Sequence, residues 1–284
     1  MRIAIQGIAG SFHHEAASNY FADESFELEE CLDFPTVFTA VQEGNADYGI
    51  VAVENSLHGP INQVYRLLAE QKLWVAGEVR LHIAMCLIGA NKQAISGLDQ
   101  TTTTVSSHFA ALAQCEGWLA RHLPHAVIKE APDTALAVRD IVQSDTPNNF
   151  AIAGQHAADM YGGAIIAKNI NDDPENYTRF FVISKDEQPE PRANRTSIIL
   201  HENSSDRAGL LYEALGIFNT AGVNLSKLDS HPKPGAQRTY AFYIDFDIGA
   251  HTKAAETILN QLQAHGWTVQ ILGSYLANDQ PAEV

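Results

Sequence analysis

The 284-residue chain is predicted to be an α/β protein with a two-lobed larger domain followed by a small β-α-β-β-α-β domain. Three observations predict it. Short runs rich in Ile, Val and Ala alternate with helix-periodic segments up to about residue 184. A charged, proline-bearing break, KDEQPEPRAN, occupies residues 185–194. After that break the order of elements changes.

In the first part, residues 2–6, 49–53, 83–88, 126–129 and 150–153 read as strands. Residues 12–21, 36–43, 61–69, 108–121 and 134–142 show apolar spacing of three to four and read as helices. The alternation predicts βα units and largely parallel sheets covered by helices. The stretch LWVAGEVRLHIAMCLIGA, from Leu73 onward, reads as one long extended run passing between lobes. The lobes are expected at about 1–78 and 80–177, with a return strand and a cleft between them suited to a ligand. The domain limits are then 1–184, 185–194 for the linker and 195–276 for the second domain, with a frayed tail at 277–284. Within the second domain, strands at 196–201, 223–230, 239–246 and 268–272 and helices at 207–221 and 253–265 give the ferredoxin-like order.

Net charge is −16, so the average surface repels polyanions and argues against nucleic acid or anionic membrane as a partner. An anionic substrate would need local positive charge or aligned backbone N–H groups. Cys31, Cys86 and Cys115 are far apart and form no metal or disulfide spacing, so reduced thiols are expected. The N-terminus enters a strand without a signal-peptide pattern, and no apolar stretch is long enough to span a bilayer. These features predict a cytoplasmic protein.

Three turns share one design, each following a strand and opening a helix: GIAGS (7–11), ENSLHGP (54–60) and TTTVSSH (102–108). Ser11 and Ser106 or Ser107 suit N-caps, and Pro60 suits a first helical position. Helix starts of this kind favour carboxylates, although capping alone would explain each of them. Gly7-x-x-Gly10 is a weak dinucleotide signal because the third glycine is out of register. In NYTRFFVI, Arg179 beside Thr178 could set a guanidinium against a carboxylate. His13-His14-Glu15 lacks the spacing of a zinc site, and no metal is expected.

Together these segments resemble the prephenate dehydratase family. The motifs are GIAGSF from Gly7, VENSLHG from Val53, SHFAALAQC from Ser107, PDTALAV from Pro132, and Thr178-Arg179-Phe180. The resemblance implies a lyase that converts prephenate to phenylpyruvate on the route to phenylalanine, with no cofactor. It also implies a periplasmic-binding-protein-like pair of α/β lobes. It assigns Thr178 as catalytic, with Glu54 as a candidate acid. Ser11, Asn55, Ser56, Ser107, Gln114, Thr134, Arg179 and Phe180 become substrate-binding or cleft residues. Phe109-Ala110 replaces the family's usual Pro-Gln, and Ile8-Ala9 stands where Pro often occurs.

Residues 195–276 resemble an ACT domain, which implies phenylalanine as effector and a homodimer or homotetramer. Its effector-binding positions would be Asn203, Ala208, Gly209, Leu210, Leu211, Asp229 and Ser230. Other readings are an arogenate dehydratase, a non-catalytic amino-acid or keto-acid sensor on the same fold, and, third, a nicotinamide oxidoreductase.

Overall fold

The protein is described by a computed structural model covering residues 1–92, 95, 102–202, 208–232 and 240–277. Among these residues the chain forms three sheets. The first contains β1 (Arg2–Gln6), β2 (Glu27–Cys31), β3 (Tyr48–Asn55), β4 (Gly59–Pro60), β5 (Trp74–His82) and the late strand β11 (Tyr177–Ser184). Its order is β2-β1-β3-β11-β5, with β4 folded back on β3. The second contains β6 (Cys86–Gly89), β7 (Thr104–Ser107), β8 (Val127–Glu130), β9 (Asn149–Ala153) and β10 (Ala164–Ala167), in the order β10-β6-β9-β7-β8.

The helices are α1 (Phe12–Tyr20), α2 (Phe34–Glu43), α3 (Asn62–Glu70), α4 (Phe109–Ala113), α5 (Glu116–His122), α6 (Thr134–Ser144) and α7 (Gln155–Tyr161). Their starts follow local chemistry. Ser11, Asp33 and Asp133 accept backbone N–H bonds at the N-caps of α1, α2 and α6. Gly44 closes α2 in the left-handed conformation that glycine adopts without strain. Behind the second sheet, Val138 and Ile141 of α6 and Ala157 and Ala158 of α7 pack on Cys86, Ile88, Ala151 and Ala153. All three cysteines are buried and free.

Several local expectations are corrected. The sheets are mixed: β1 pairs β2 and β3 in parallel and β7 pairs β8 and β9 in parallel, whereas β6 runs antiparallel to both β9 and β10. The long extended run is cut at residues 83–85, where Ile83 N–H bonds to the Asn176 carbonyl and Met85 N–H to Asn171 Oδ1. The expected helix at 108–121 is two helices, broken at Gln114 and Cys115. Pro60 does not begin a helix; it pairs with Glu54 in the β3–β4 hairpin. The cap of α4 is His108, because Ser106 and Ser107 are still in β7.

By internal contacts the described chain divides into two units, Met1–Tyr65 with Val79–Phe180, and Arg66–Glu78 with the residues from Phe181 onward. In the second unit β12 (Arg195–Glu202), α8 (Leu210–Ala221), β13 (Leu225–Pro232), β14 (Tyr240–Phe246), α9 (Lys253–Ala264) and β15 (Trp267–Tyr275) give the expected β-α-β-β-α-β order. The sheet runs β13-β14-β12-β15 and its pairings are all antiparallel. Phe218, Phe246, Ile258, Leu262 and Trp267 fill its core between sheet and helices. No helix among the described residues is long and apolar enough to cross a membrane.

Charged side chains are buried in this unit, Arg195 and Glu78 among them. Arg195 reaches Glu78 at 2.9 Å and Asp247 at 3.2 Å, and its side chain and that of Glu78 are 4% and 0% exposed. Removing the guanidinium takes a counter-charge away from two carboxylates, one of them fully desolvated. Arg195→Met is therefore expected to destabilise the protein by about 3–5 kcal/mol. The check is a lower urea midpoint at unchanged slope; an unchanged midpoint would show that the pair carries no stability.

Candidate active site

A cavity of about 270 Å³ lies within the first unit, lined by residues of both sheets and their following helices. Its polar lining includes Gln6, Ser11, His13, Asn55, His58, His108, Gln114, Asp133, Thr134 and Thr178, beside the apolar Phe12, Phe34, Ile61, Ile83, Met85 and Phe180. No Lys or Arg is among the described residues that line it.

The centre of the site is built on the hairpin after β3. Asn55 Oδ1 accepts the backbone N–H groups of Leu57 (3.0 Å) and His58 (3.1 Å), which fixes which end of the amide is oxygen. The Nδ2 end must then face β11, where its two N–H groups are shared among three acceptors, Thr178 Oγ1 at 2.9 Å, Asn176 Oδ1 at 2.8 Å and the Tyr177 carbonyl at 3.1 Å. Each later assignment follows. Asn176 Nδ2 donates to Gln114 Oε1 at 3.0 Å, so Gln114 Nε2 donates to His58 Nε2 at 3.1 Å. His58 consequently carries its proton on Nδ1. Ser56 fastens the same hairpin to β11: its N–H bonds to the Tyr177 carbonyl, and its hydroxyl bridges the Glu175 carbonyl and the Tyr177 N–H.

The consequence falls on Thr178. Its oxygen already receives an N–H from Asn55, so the hydroxyl proton is left to be donated outward. Within a cavity, such a preoriented donor is worth more than one in water.

Close contacts join the two walls. Tyr161 of α7 donates to the Ala9 carbonyl at 2.6 Å, and His156 Nε2 donates to His14 Nδ1 at 3.0 Å. The same His14 nitrogen accepts the Gly10 N–H, so His14 is neutral with its proton on Nε2. Burial and then the neighbouring His156 push the His14 pKa down to about 4, against a weaker opposing pull from Glu30. Gly10 has φ +85°, and a Cβ there would lie 3.3 Å from the Ala157 Cα. At Gly7, φ +92°, a Cβ would lie 2.8 Å from an Asp133 carboxylate oxygen. Both positions of this turn therefore need glycine for conformation and for space. Burial raises the Asp133 pKa, while the two α6 N–H groups it caps oppose the shift.

Of the residues singled out in the sequence, Thr178, Asn55, Gln114, Ser11, Thr134 and Phe180 meet in this cavity. The break between α4 and α5 explains Gln114, which sits at the C-cap of α4 where a continuous helix was expected. Arg179 does not join them. Strand residues alternate between faces, so Thr178 and Phe180 face the cavity while Arg179, only 6% exposed, faces away. Ser107 is fully buried and donates to the Ile152 carbonyl at 2.5 Å, outside the cavity lining. Glu54 is half-buried opposite Pro60, and Ser56 is exposed; neither lines the cavity. His58, Asn176 and His13 were not anticipated as site residues. The first two lie two residues from the VENS and TRF segments, and that proximity is the signal that could have found them.

In the second unit, Gly209 is the N-cap of α8 with φ +87°, Leu210 and Leu211 form its first turn, and Ala208 precedes it. Asp229 and Ser230 lie on β13, with Asp229 Oδ2 3.2 Å from His231 Nε2. Asn203 lies outside the described residues.

A cavity walled by two α/β sheets, with a hydroxyl held as donor and an aromatic flank, defines an enzyme for a small organic substrate. The family described as prephenate dehydratase matches residues 3–188. The chain belongs to that family. Over 97% of its length it is 32% identical to a bifunctional chorismate mutase/prephenate dehydratase of Aquifex aeolicus, covering 73% of that protein. It is 33% identical over 97% to the chloroplastic arogenate dehydratase/prephenate dehydratase 2 of Arabidopsis thaliana, covering 72%. Among solved structures, prephenate dehydratase from Arthrobacter aurescens in complex with L-Phe superposes with a TM-score of 0.84 at 29% identity, covering 100% of this chain and 93% of that one. A structure described as a novel type of quorum quenching acylase also scores 0.84, at 27% identity, covering 98% and 99%.

Asn55→Asp tests the relay with minimal change in shape. A carboxylate has no N–H, so Thr178 would turn its proton toward residue 55. The kcat for phenylpyruvate formation is expected to fall by about 10²–10³, the scale for loss of one preoriented donor, with the unfolding midpoint kept. A variant retaining more than about a tenth of wild-type kcat would contradict this polarity.

Proposed function

We propose that the cavity binds prephenate and that Thr178 assists departure of its hydroxyl as the ring becomes aromatic. The observation that carries this reading is the Asn55 N–H to Thr178 Oγ1 bond, which leaves the threonine proton free to donate. The substrate is a dianion. Loss of one carboxylate as CO₂ sends an electron pair into the ring, and the ring expels hydroxide, which a proton from solvent converts to water. Aromatisation drives the reaction, so the protein need only orient the substrate and stabilise charge on the departing oxygen. A threonine hydroxyl is too weak an acid to give up its proton, and its contribution is a hydrogen bond to that oxygen. Glu54, which lies outside the cavity lining, is not assigned a role in this scheme.

The carboxylates are met without a cavity-lining Lys or Arg. Helix α1 starts at the wall with Ser11 as its cap, so first-turn N–H groups and the positive end of the helix dipole are directed there. Gln6, Gln114 and His108 supply further polar contacts on the lining.

The β-α-β-β-α-β unit is, in this reading, an ACT domain that binds phenylalanine at Gly209–Leu211 and Asp229–Ser230 and pairs copies of the chain into a homodimer or homotetramer. Support comes from its strand order and from the similar Arthrobacter aurescens protein, whose structure holds L-Phe. Phenylalanine should bind, change the rate, and do neither in a variant carrying Gly209→Val. Arogenate is the alternative substrate, since one relative bears both names; a ratio of kcat/KM values for the two compounds decides.

Purified protein is expected to turn prephenate into phenylpyruvate, followed by absorbance. Thr178→Ala should lower kcat by about 10²–10⁴ with KM within a few-fold, and Thr178→Ser should recover much of the loss. An alanine variant with wild-type kcat would remove Thr178 from the chemistry.

A further inference from the structure

One residue of the cavity lining carries a polar atom with no role in the relay. His13 is the second residue of α1, directly after Phe12. Its ring lines the cavity and makes an edge contact with Phe180 (centroids 5.1 Å, 85°) and a tilted contact with Phe34 (5.8 Å, 60°). Its Nε2 is buried and has no hydrogen-bond partner. Gln71 and Trp267 each carry a buried side-chain atom in that condition too, and neither lines the cavity. A buried nitrogen left unpaired costs as much as a lost hydrogen bond, so its persistence at a binding site calls for a partner that arrives with the ligand.

We infer that His13 is a substrate-contacting residue whose Nε2–H donates a hydrogen bond to a carboxylate oxygen of the bound substrate; this rests on the reading that the cavity takes prephenate. The direction follows from the ligand. Prephenate presents two carboxylates and a keto oxygen, all acceptors, and a single hydroxyl that Thr178 addresses. A group meeting it elsewhere must therefore be a donor, which puts the imidazole proton on Nε2. Burial holds the ring neutral, with its pKa down at about 4, so the contact is a neutral donor to an anion and not a preformed ion pair. The aromatic partners Phe34 and Phe180 fix the ring plane without competing for the nitrogen.

Such a contact is made equally in substrate and transition state, so its loss should appear in KM. His13→Phe preserves the aromatic packing and deletes the donor. Its KM for prephenate is expected to rise about ten- to a hundredfold, as for a hydrogen bond to a charged group, with kcat within about threefold. His13→Gln returns an N–H at similar reach, and its KM should come back to within about fivefold of wild type. A purely structural role would impair both variants alike. Wild-type KM in His13→Phe, or equal KM values in the two variants, overturns the inference. Should His13→Phe fail to fold, His13→Leu replaces it in the same comparison. If the wild-type protein does not convert prephenate at all, the functional reading fails; if it does and His13→Phe matches it, only the role of His13 falls.

Discussion

The orientation of one amide governs the active site. Two backbone N–H groups of the β3–β4 hairpin can be accepted only by the oxygen of Asn55, and from that point every polar contact through Thr178, Asn176, Gln114 and His58 has its direction set. The relay depends on the hairpin, the hairpin depends on the tight return at Gly59, and Ser56 stitches that return to β11. A chemical property, the direction of the Thr178 proton, is thus inherited from ordinary backbone hydrogen bonding. Networks of this kind are valuable when every member is satisfied and costly when one is not.

The relay also crosses between the two walls, because His58 belongs to the first sheet's hairpin and Gln114 to a helix of the second lobe. It shares that task with Tyr161 on Ala9 and His156 on His14. The glycines at 7 and 10 let the first turn approach α6 and α7 at distances no side chain allows. These polar pairs hold the two walls together while the cavity keeps a polar lining for a ligand.

Much of this was legible in the residues, and the failures have physical causes. Caps were readable at Ser11 because side-chain capping is local chemistry, and the β-α-β-β-α-β order was readable because each element carries its own apolar period. The VENS and TRF segments pointed to Asn55 and Thr178 through their resemblance to the prephenate dehydratase family. What was not readable depends on three-dimensional pairing. Arg179 was assigned to the substrate because it neighbours Thr178, yet strand alternation sends neighbours to opposite faces. The 108–121 segment kept a helical period across Cys115, and at the break Asp172, 58 residues from Gln114 in sequence, donates its N–H to the Gln114 carbonyl and accepts the Gly117 N–H. Pro60 looked like a helix start because a hairpin return of two residues leaves almost no pattern of its own.

The displacement of Arg179 also alters the electrostatic account of catalysis. An acidic chain with a dianionic substrate invites the expectation of a guanidinium clamp, but the transition state for decarboxylation is losing charge from the carboxylate that leaves. A fixed cation beside that group would hold the reactant more tightly than the transition state, and binding energy used so does not speed the chemical step. Backbone N–H groups, amides and an imidazole kept neutral by burial can orient carboxylates while binding both states about equally. The oxygen that gains charge is the departing hydroxyl, and in the proposed reading it is there that the preoriented Thr178 donor acts. The absence of Lys and Arg from the described lining is then consistent with the direction in which charge moves.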